Sequence, residues 1–425
     1  MSGPLRILIT NNSLAARGGS EVYVRDLALG LMRRGHLPMV YSSLLGEVAE
    51  ELRRATIPVF DDIAALNAPP DLIHGQHHLD AMTAILRYPT VPALYFCHGW
   101  SPWQELPPVF PSIRRYLAVD DLCRERLLTT PGVPAERIEV LTNAVDLKRF
   151  LPRQALPERP ASALVFSNYA EPDGYADILM RACQARGIER VDICGTGIGL
   201  TTAAPELLLG RYDVVFAKAR CALEAMAVGC AVVVADHAGL AGMVDTGNVR
   251  TLRRLNFGVR SMQAGTISEA SIAAALDRYD ARDAAAVSAF IRADADLDAV
   301  IDRLLAIYRQ ILDEPVESLP SDAAATATAT YLASLSGLLK GREQAEARAF
   351  LSERQNTRLV EASHGQREEF VAQTAAAVEE AANLRRVLAD AQAVVHMQAD
   401  ALQDIQRSRA WRLISLYRRF RAWLR

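Results

Sequence analysis

Disulfide patterns, lysine, an excess of either charge and long apolar runs are what this sequence lacks. Its six cysteines (Cys97, Cys123, Cys183, Cys194, Cys221 and Cys230) form no C-x-x-C pair, and most lie within apolar runs. This argues against a disulfide framework and fits small buried side chains in a reduced cytoplasm. Of 47 basic residues only Lys148, Lys218 and Lys340 are lysine, a bias expected of a GC-rich bacterial genome. A net charge of −3 gives no global pull toward nucleic acid or membrane, so any such attraction must be local. No apolar run approaches the ~20 residues that a membrane-spanning helix needs. The opening Met1-Ser2-Gly3-Pro4 leads directly into a strand-like run, so no secretory leader is expected.

What is present is alternation. Residues 1–150 hold short strand-like runs at 5–10, 37–42, 72–74, 93–97, 116–119 and 138–141, with amphipathic stretches between them. The clearest helix, 21–34, is closed by Gly35. A Pro-, Arg- and Ala-rich stretch at 151–162 reads as an interdomain linker. The pattern then restarts, with strands at 164–166, 191–194, 212–216 and 231–235 and helices at 175–186, 220–228, 269–278 and 284–311. This predicts an α/β protein of two doubly wound Rossmann-like lobes, 1–150 and 151–313, with ligands near the carboxyl ends of the strands.

The remainder is different in kind. Residues 314–330, with an Ala/Thr repeat, read as a linker. From 331 to 406 the chain is rich in Ala, Glu, Gln and Arg. Leu384, Leu388, Ala391, Val395, Gln398, Leu402 and Ile405 step by four and three, as a coiled-coil seam would. The alternatives are an oligomer through this region and a helical hairpin against the core. Residues 407–425 hold seven arginines and no acid, and Trp411, Ile414, Tyr417, Phe420 and Leu424 share one helical face, widened by Trp423. Such a helix lies in a membrane surface, with Trp411, Phe420 and Trp423 facing lipid, or packs on the core or a partner.

Four clusters carry candidate chemistry. The first loop ends Arg17-Gly18-Gly19-Ser20-Glu21 at a helix start, which suits a diphosphate cradle or a tight strand-to-helix turn. His98 closes strand 93–97, where it meets a sugar hydroxyl or merely caps the strand. His74, His77 and His78 invite a metal, but two are adjacent and no carboxylate or cysteine has fitting spacing; lining of the cleft, above all by His77, is the better reading. In the stretch 212–234 two cations, Lys218 and Arg220, follow a buried strand and Glu224 lies in the first turns of the next helix. They suit a diphosphate and a ribose diol, or else a solvated cation pair and a helix-dipole glutamate. Gly195 opens a G-x-G-x-G run whose spacing is not that of a dinucleotide fingerprint, and it reads as a loop at a nucleotide pocket.

Glu224-Ala225-Met226-Ala227-Val228-Gly229 resembles the donor-site helix, E-A-M-A-x-G, of glycosyltransferase family 4, retaining enzymes of the GT-B fold. The glycine loop, Cys97-His98-Gly99 and Asn143-Ala144-Val145-Asp146 through Phe150 fall in matching order, and the resemblance spans about residues 5–313. It implies that Gly18 and Gly19 contact the donor phosphates, that His98 is the catalytic contact to the sugar, and that Glu224 holds the ribose. Asn143 is expected to line the cleft. A second family glutamate, eight positions earlier, is replaced by Phe216, also expected at the cleft. The arginine and lysine usual after the second lobe's first strand are missing from 167–174, so Lys218 and Arg220 are expected to neutralise the phosphates. The implied function is transfer of a hexose from a nucleotide sugar to a lipid-linked or cell-surface glycan, without metal or other cofactor. The chain would work in the cytoplasm or on the inner face of its membrane. The rivals are a GT-B scaffold that has lost turnover and acts through its tail, and a nucleotide-sugar isomerase, for which no pair of acid–base carboxylates is evident.

Overall fold

The computed structural model describes residues 3–171, 174–315 and 321–423, apart from the side chains of Ser321, Arg421 and Trp423. β1 (Arg6–Thr10) sets the pattern of the first lobe, since four of its five residues are buried. A strand covered on both faces needs such a run rather than an alternating one. In chain order there follow α1 (Gly19–Arg33), β2 (Leu37–Tyr41), α2 (Glu47–Arg54), β3 (Val59–Phe60), β4 (Leu72–Gln76), α3 (His78–Arg87), β5 (Ala93–Cys97), β6 (Ile113–Ala118), α4 (Asp121–Thr129) and β7 (Ile138–Val140). The seven strands are all parallel, in the order β3-β2-β1-β4-β5-β6-β7. α1 stops where Gly35 takes φ +78° and its N–H bonds back to the Met32 carbonyl, as expected of that glycine.

The second lobe comprises β8 (Ser162–Phe166), α5 (Tyr175–Ala185), β9 (Arg190–Cys194), α6 (Pro205–Leu209), β10 (Val214–Ala217), α7 (Ala219–Val228), β11 (Ala231–Asp236), β12 (Gly239–Met243), α8 (Val249–Arg254), α9 (Val259–Met262), α10 (Glu269–Leu276) and α11 (Ala281–Asp294). Its sheet runs β12-β11-β10-β8-β9, parallel except for the edge strand β12. Strand order reverses between β1 and β4 in one lobe and between β8 and β10 in the other. Those switch points put the loops after β1 and β10 at the crevice where such sheets bind ligands. The two-lobed α/β architecture is therefore the one expected.

Three boundaries differ from expectation. The single helix anticipated over 284–311 is two, because Asp296 pairs with Val145 in a bridge and caps α12 (Leu297–Asp313) through its side chain. α12 then returns to the first lobe: a Cβ on Gly30 of α1 would lie 2.0 Å from Ile301 Cδ1, and Tyr308 hydroxyl meets His74 Nδ1 at 2.6 Å. The first lobe is thus built from two chain segments, and the second ends near 295, not 313. The linker expected over 314–330 is contradicted where described, since α13 (Ser321–Arg407) already covers the Ala/Thr repeat. Alanine has the highest helix propensity, and Thr328 returns its hydroxyl to the Ala324 carbonyl.

Residues 334–425 form a separate unit. Within it α13 runs without interruption to Arg407, so the hairpin alternative does not occur. Ser408 breaks the helix, its hydroxyl accepting from Trp411 N–H, and α14 (Arg409–Trp423) follows. Residues 337–414 are all exposed. Among the described residues no helix is long and apolar enough to cross a membrane.

Candidate functional site

The crevice between the lobes is floored by strand ends and walled by two helix starts. Gly18 and Gly19 begin α1, and among the described residues no neighbour lies within 4 Å of where a Cβ on Gly19 would stand. A ligand can therefore approach that backbone closely, at the positive end of a 15-residue helix. Gly18 is different: a Cβ there would meet the Glu21 carboxylate at 2.3 Å. Glu21, held by Ser20 hydroxyl at 3.0 Å, folds over the same helix end, a competitor for phosphate that the sequence reading missed.

Opposite stands α7. Arg220 Nε donates to Glu224 Oε1 at 2.8 Å, and its Nη2 pairs with Asp26 on α1. Asp26 is also bound by Arg25, at 3.0 and 2.7 Å, and Arg25 reaches Glu51 at 3.3 Å. Arg220 is thereby tied to α1 at Asp26, two turns after Gly19. Burial opposes charge on Arg220, but Asp26 and Glu224 outweigh it and raise its pKa. Burial likewise pushes Asp26 up, yet Arg220 and Arg25 bring it below the usual carboxylate range. For Glu224 burial wins and its pKa is raised.

Lys218, at the exit of β10, pairs with the fully buried Asp236 and lies 4.4 Å from the ring centre of Tyr169. Neither cation expected at the phosphates is free; each is already matched by a carboxylate. Tyr169, in the loop after β8, and Asp236, at the end of β11, were not anticipated, since an aromatic in a polar loop and an acid after an apolar strand carry no distinctive spacing.

His98 lies at the end of β5 with its ring 4.7 Å from Tyr23 and 4.2 Å from Phe96. Its Nε2 is buried with no hydrogen-bond partner among the described residues, and burial pushes the ring down to about 4, so it is neutral at pH 7. Its backbone N–H donates to Glu105 Oε2 at 3.0 Å. Glu105 was also missed; it comes from a three-residue turn, Trp103–Glu105, that brings it back under the strand end.

The other expectations divide. Asn143 is half-buried where the chain leaves the first lobe. Phe216 does not line the cleft: it is fully buried in β10, among Val165, Ala176, Val214 and Val233 in the second lobe's core. Eight residues before Glu224 is mid-strand here, because α7 starts directly after Lys218. His77 is 5% exposed and sits below the crevice, not on it, with Nδ1 accepting from Asn12 N–H and Nε2 3.3 Å from Glu105. His74 and His78 point apart, to Tyr308 and Tyr331, and burial pushes them down to about 3 and about 4. Gly195 has a packing reason, since a Cβ there would stand 1.9 Å from the Ser167 carbonyl oxygen. In the tail Trp411 and Phe420 are exposed, 37% and 60%. The Trp423 side chain lies outside the described residues.

Residues 17–149 match the model of Glycosyltransferase Family 4. Among solved structures, a glycosyltransferase from Rickettsia africae is 14% identical with a TM-score of 0.52, over 73% of this chain and all of that one. The Anabaena protein HepE, solved with UDP-glucose, is 15% identical with a TM-score of 0.50, over 72% of this chain and all of that one. These likenesses establish the GT-B fold. No curated protein matches the sequence.

Proposed function

We propose that this chain, whose residues 17–149 match the model of Glycosyltransferase Family 4 and whose fold is of the GT-B type, is a glycosyltransferase that moves a hexose from a nucleotide sugar, with retention at the anomeric carbon, to a lipid-linked or surface glycan. One observation supports this reading: Asp26 of α1, two turns after the approachable Gly19, binds the Arg220–Glu224 pair of α7 from the other lobe. The diphosphate would lie against the start of α1 at Gly19, where charge developing on the leaving oxygen meets helix N–H donors, the Gly18 N–H being held by the Ala16 carbonyl at 3.2 Å. Glu224 would accept from the ribose hydroxyls. Arg220 and Lys218 would turn from Asp26 and Asp236 to the phosphates, so a protein-supplied charge does the neutralising. His98, neutral, would offer a ring nitrogen to a sugar hydroxyl; leaving Nε2 buried and unpaired costs about 1–3 kcal/mol, which such a contact recovers.

A panel of nucleotide sugars in thermal-shift measurements, starting with UDP-glucose, tests the donor reading by mass action. No rise in Tm with any member sinks it. A scaffold without turnover is the second reading, favoured by the two cations being neutralised. Release of free sugar from the stabilising donor separates the two, because a scaffold leaves the donor intact.

The tail gives the proposed acceptor its setting. The heptad seam of 384–405 would pair with a second copy, and α14, with its arginines beside Trp411 and Phe420, would lie on an anionic membrane surface. Chain lacking 407–425 should no longer sediment with phosphatidylglycerol vesicles; unchanged sedimentation refutes the membrane reading.

A further inference from the structure

We propose that Glu105 and His77 are positioning residues that lock His98 and the β1–α1 loop into one fixed geometry. The proposal rests on the reading of His98 as the contact to the donor sugar. Three strand ends meet through two side chains. From β1, the Asn12 N–H donates to His77 Nδ1 at 3.0 Å. A ring nitrogen that accepts carries no proton, so the proton of the His77 ring is on Nε2. That nitrogen faces Glu105 Oε1 at 3.3 Å, and the other oxygen, Oε2, accepts the His98 N–H at 3.0 Å.

Both side chains are buried, Glu105 4% exposed and His77 5%. A buried carboxylate without hydrogen bonds is costly, and these two donors are what satisfies it. Burial pushes Glu105 up, but His77 and His98 outweigh it and leave the carboxyl below its ordinary value. The loop that carries Glu105 is tied from outside as well, since Arg126 donates to the Gly99 carbonyl at 2.8 Å and to Pro102.

The backbone supplies an independent observation. His77 has φ +55° and ψ 121°, a conformation side chains rarely adopt. Strain of this kind costs about 1–3 kcal/mol and persists only where its surroundings over-determine it. A histidine held there against its own preference is accounted for by what its ring connects. Asn12 belongs to the loop that delivers Gly18 and Gly19, so the pair sets the distance between the phosphate cradle and the sugar contact. A misplacement of 1 Å in such a site costs about 100-fold in rate.

The test uses the full chain, Glu105→Gln and His77→Asn. Glutamine keeps the shape but replaces one of the two acceptor oxygens with an NH2 donor, and asparagine tolerates positive φ while removing the ring. With UDP-glucose as probe, each variant should keep its KM for hydrolysis within about threefold and its Tm within a few degrees, while kcat falls about 10- to 100-fold. Nitrogen-15 spectra of the histidines should show wild-type His77 with its proton on Nε2 and an altered His77 and His98 amide in Glu105→Gln. Unchanged kcat in both variants, or a His77 proton on Nδ1, overturns the proposal. If wild type leaves UDP-glucose intact, or His98→Ala hydrolyses it normally, the reading of the site fails instead, and the His77 tautomer still decides the relay.

Discussion

Asparagine at Asp26 is the substitution that most directly probes how the two lobes are joined. Asp26 is 7% exposed and binds Arg220 from the other lobe and Arg25 from its own helix. Removing one partner of a buried ion pair costs about 3–5 kcal/mol, because a charge is left without compensation. Here Arg220 keeps Glu224 at 2.8 Å and Arg25 keeps Glu51 at 3.3 Å, which places the expected loss at the lower end, about 3 kcal/mol. At about 2–4 °C per kcal/mol for domains of this size, Tm should fall by roughly 6–12 °C. A double-mutant cycle with Arg220→Gln should then show the two losses to be non-additive by about 2 kcal/mol, the scale of a charged hydrogen bond. The same substitution frees Arg220 for an anion, so UDP should raise the Tm of Asp26→Asn more than that of wild type, despite the lower starting stability. Additivity within about 0.5 kcal/mol, or a smaller UDP shift in the variant, refutes the reasoning.

Three further outcomes are expected. His74, His78 and His98 are held neutral, with folded pKa values of about 3, about 4 and about 4 against 6.5. Protons therefore favour the unfolded chain as pH drops below 6.5, so stability is full above that value and lost beneath it. Between pH 6 and 5 the loss should approach about 4 kcal/mol, three protons' worth, read from urea midpoints; a slope of one proton or less contradicts the burial assigned to these rings. Phe216→Glu, which places there the glutamate that the family resemblance implies, should instead unfold the second lobe, since it buries a charge in β10; a soluble variant with unchanged melting refutes the core placement. Gly195→Ala should lose about 1–3 kcal/mol in a denaturant melt, because its Cβ meets the Ser167 carbonyl; no loss would mean that the two loops do not cross closely.

The sequence and the structure agree where the signal is local. Every strand expected from an apolar run is present within a few residues, and α7 begins and ends where the helical pattern did. They part where residues distant in sequence meet. Phe216 was read by its spacing from Glu224, but a helix that starts immediately after the strand leaves that position in the core. The split at Asp296 was invisible because both halves have helical composition, and only the pairing with Val145 turns the chain back to the first lobe. Glu105 and Asp26, each bound by two other residues, sit in stretches with no motif.

What the sequence alone determined is the class of object: periodicity settles two wound lobes, because backbone propensity and burial act over a few residues. Which cations are already matched by carboxylates, which histidines serve the crevice and which merely hold α12 and α13, and which glycine admits a ligand were decided by tertiary contact. Charge pairing and steric room depend on atoms brought together across dozens to hundreds of positions, as Asp26 and Arg220 are across 194 and His78 and Tyr331 across 253, and no local pattern encodes that distance.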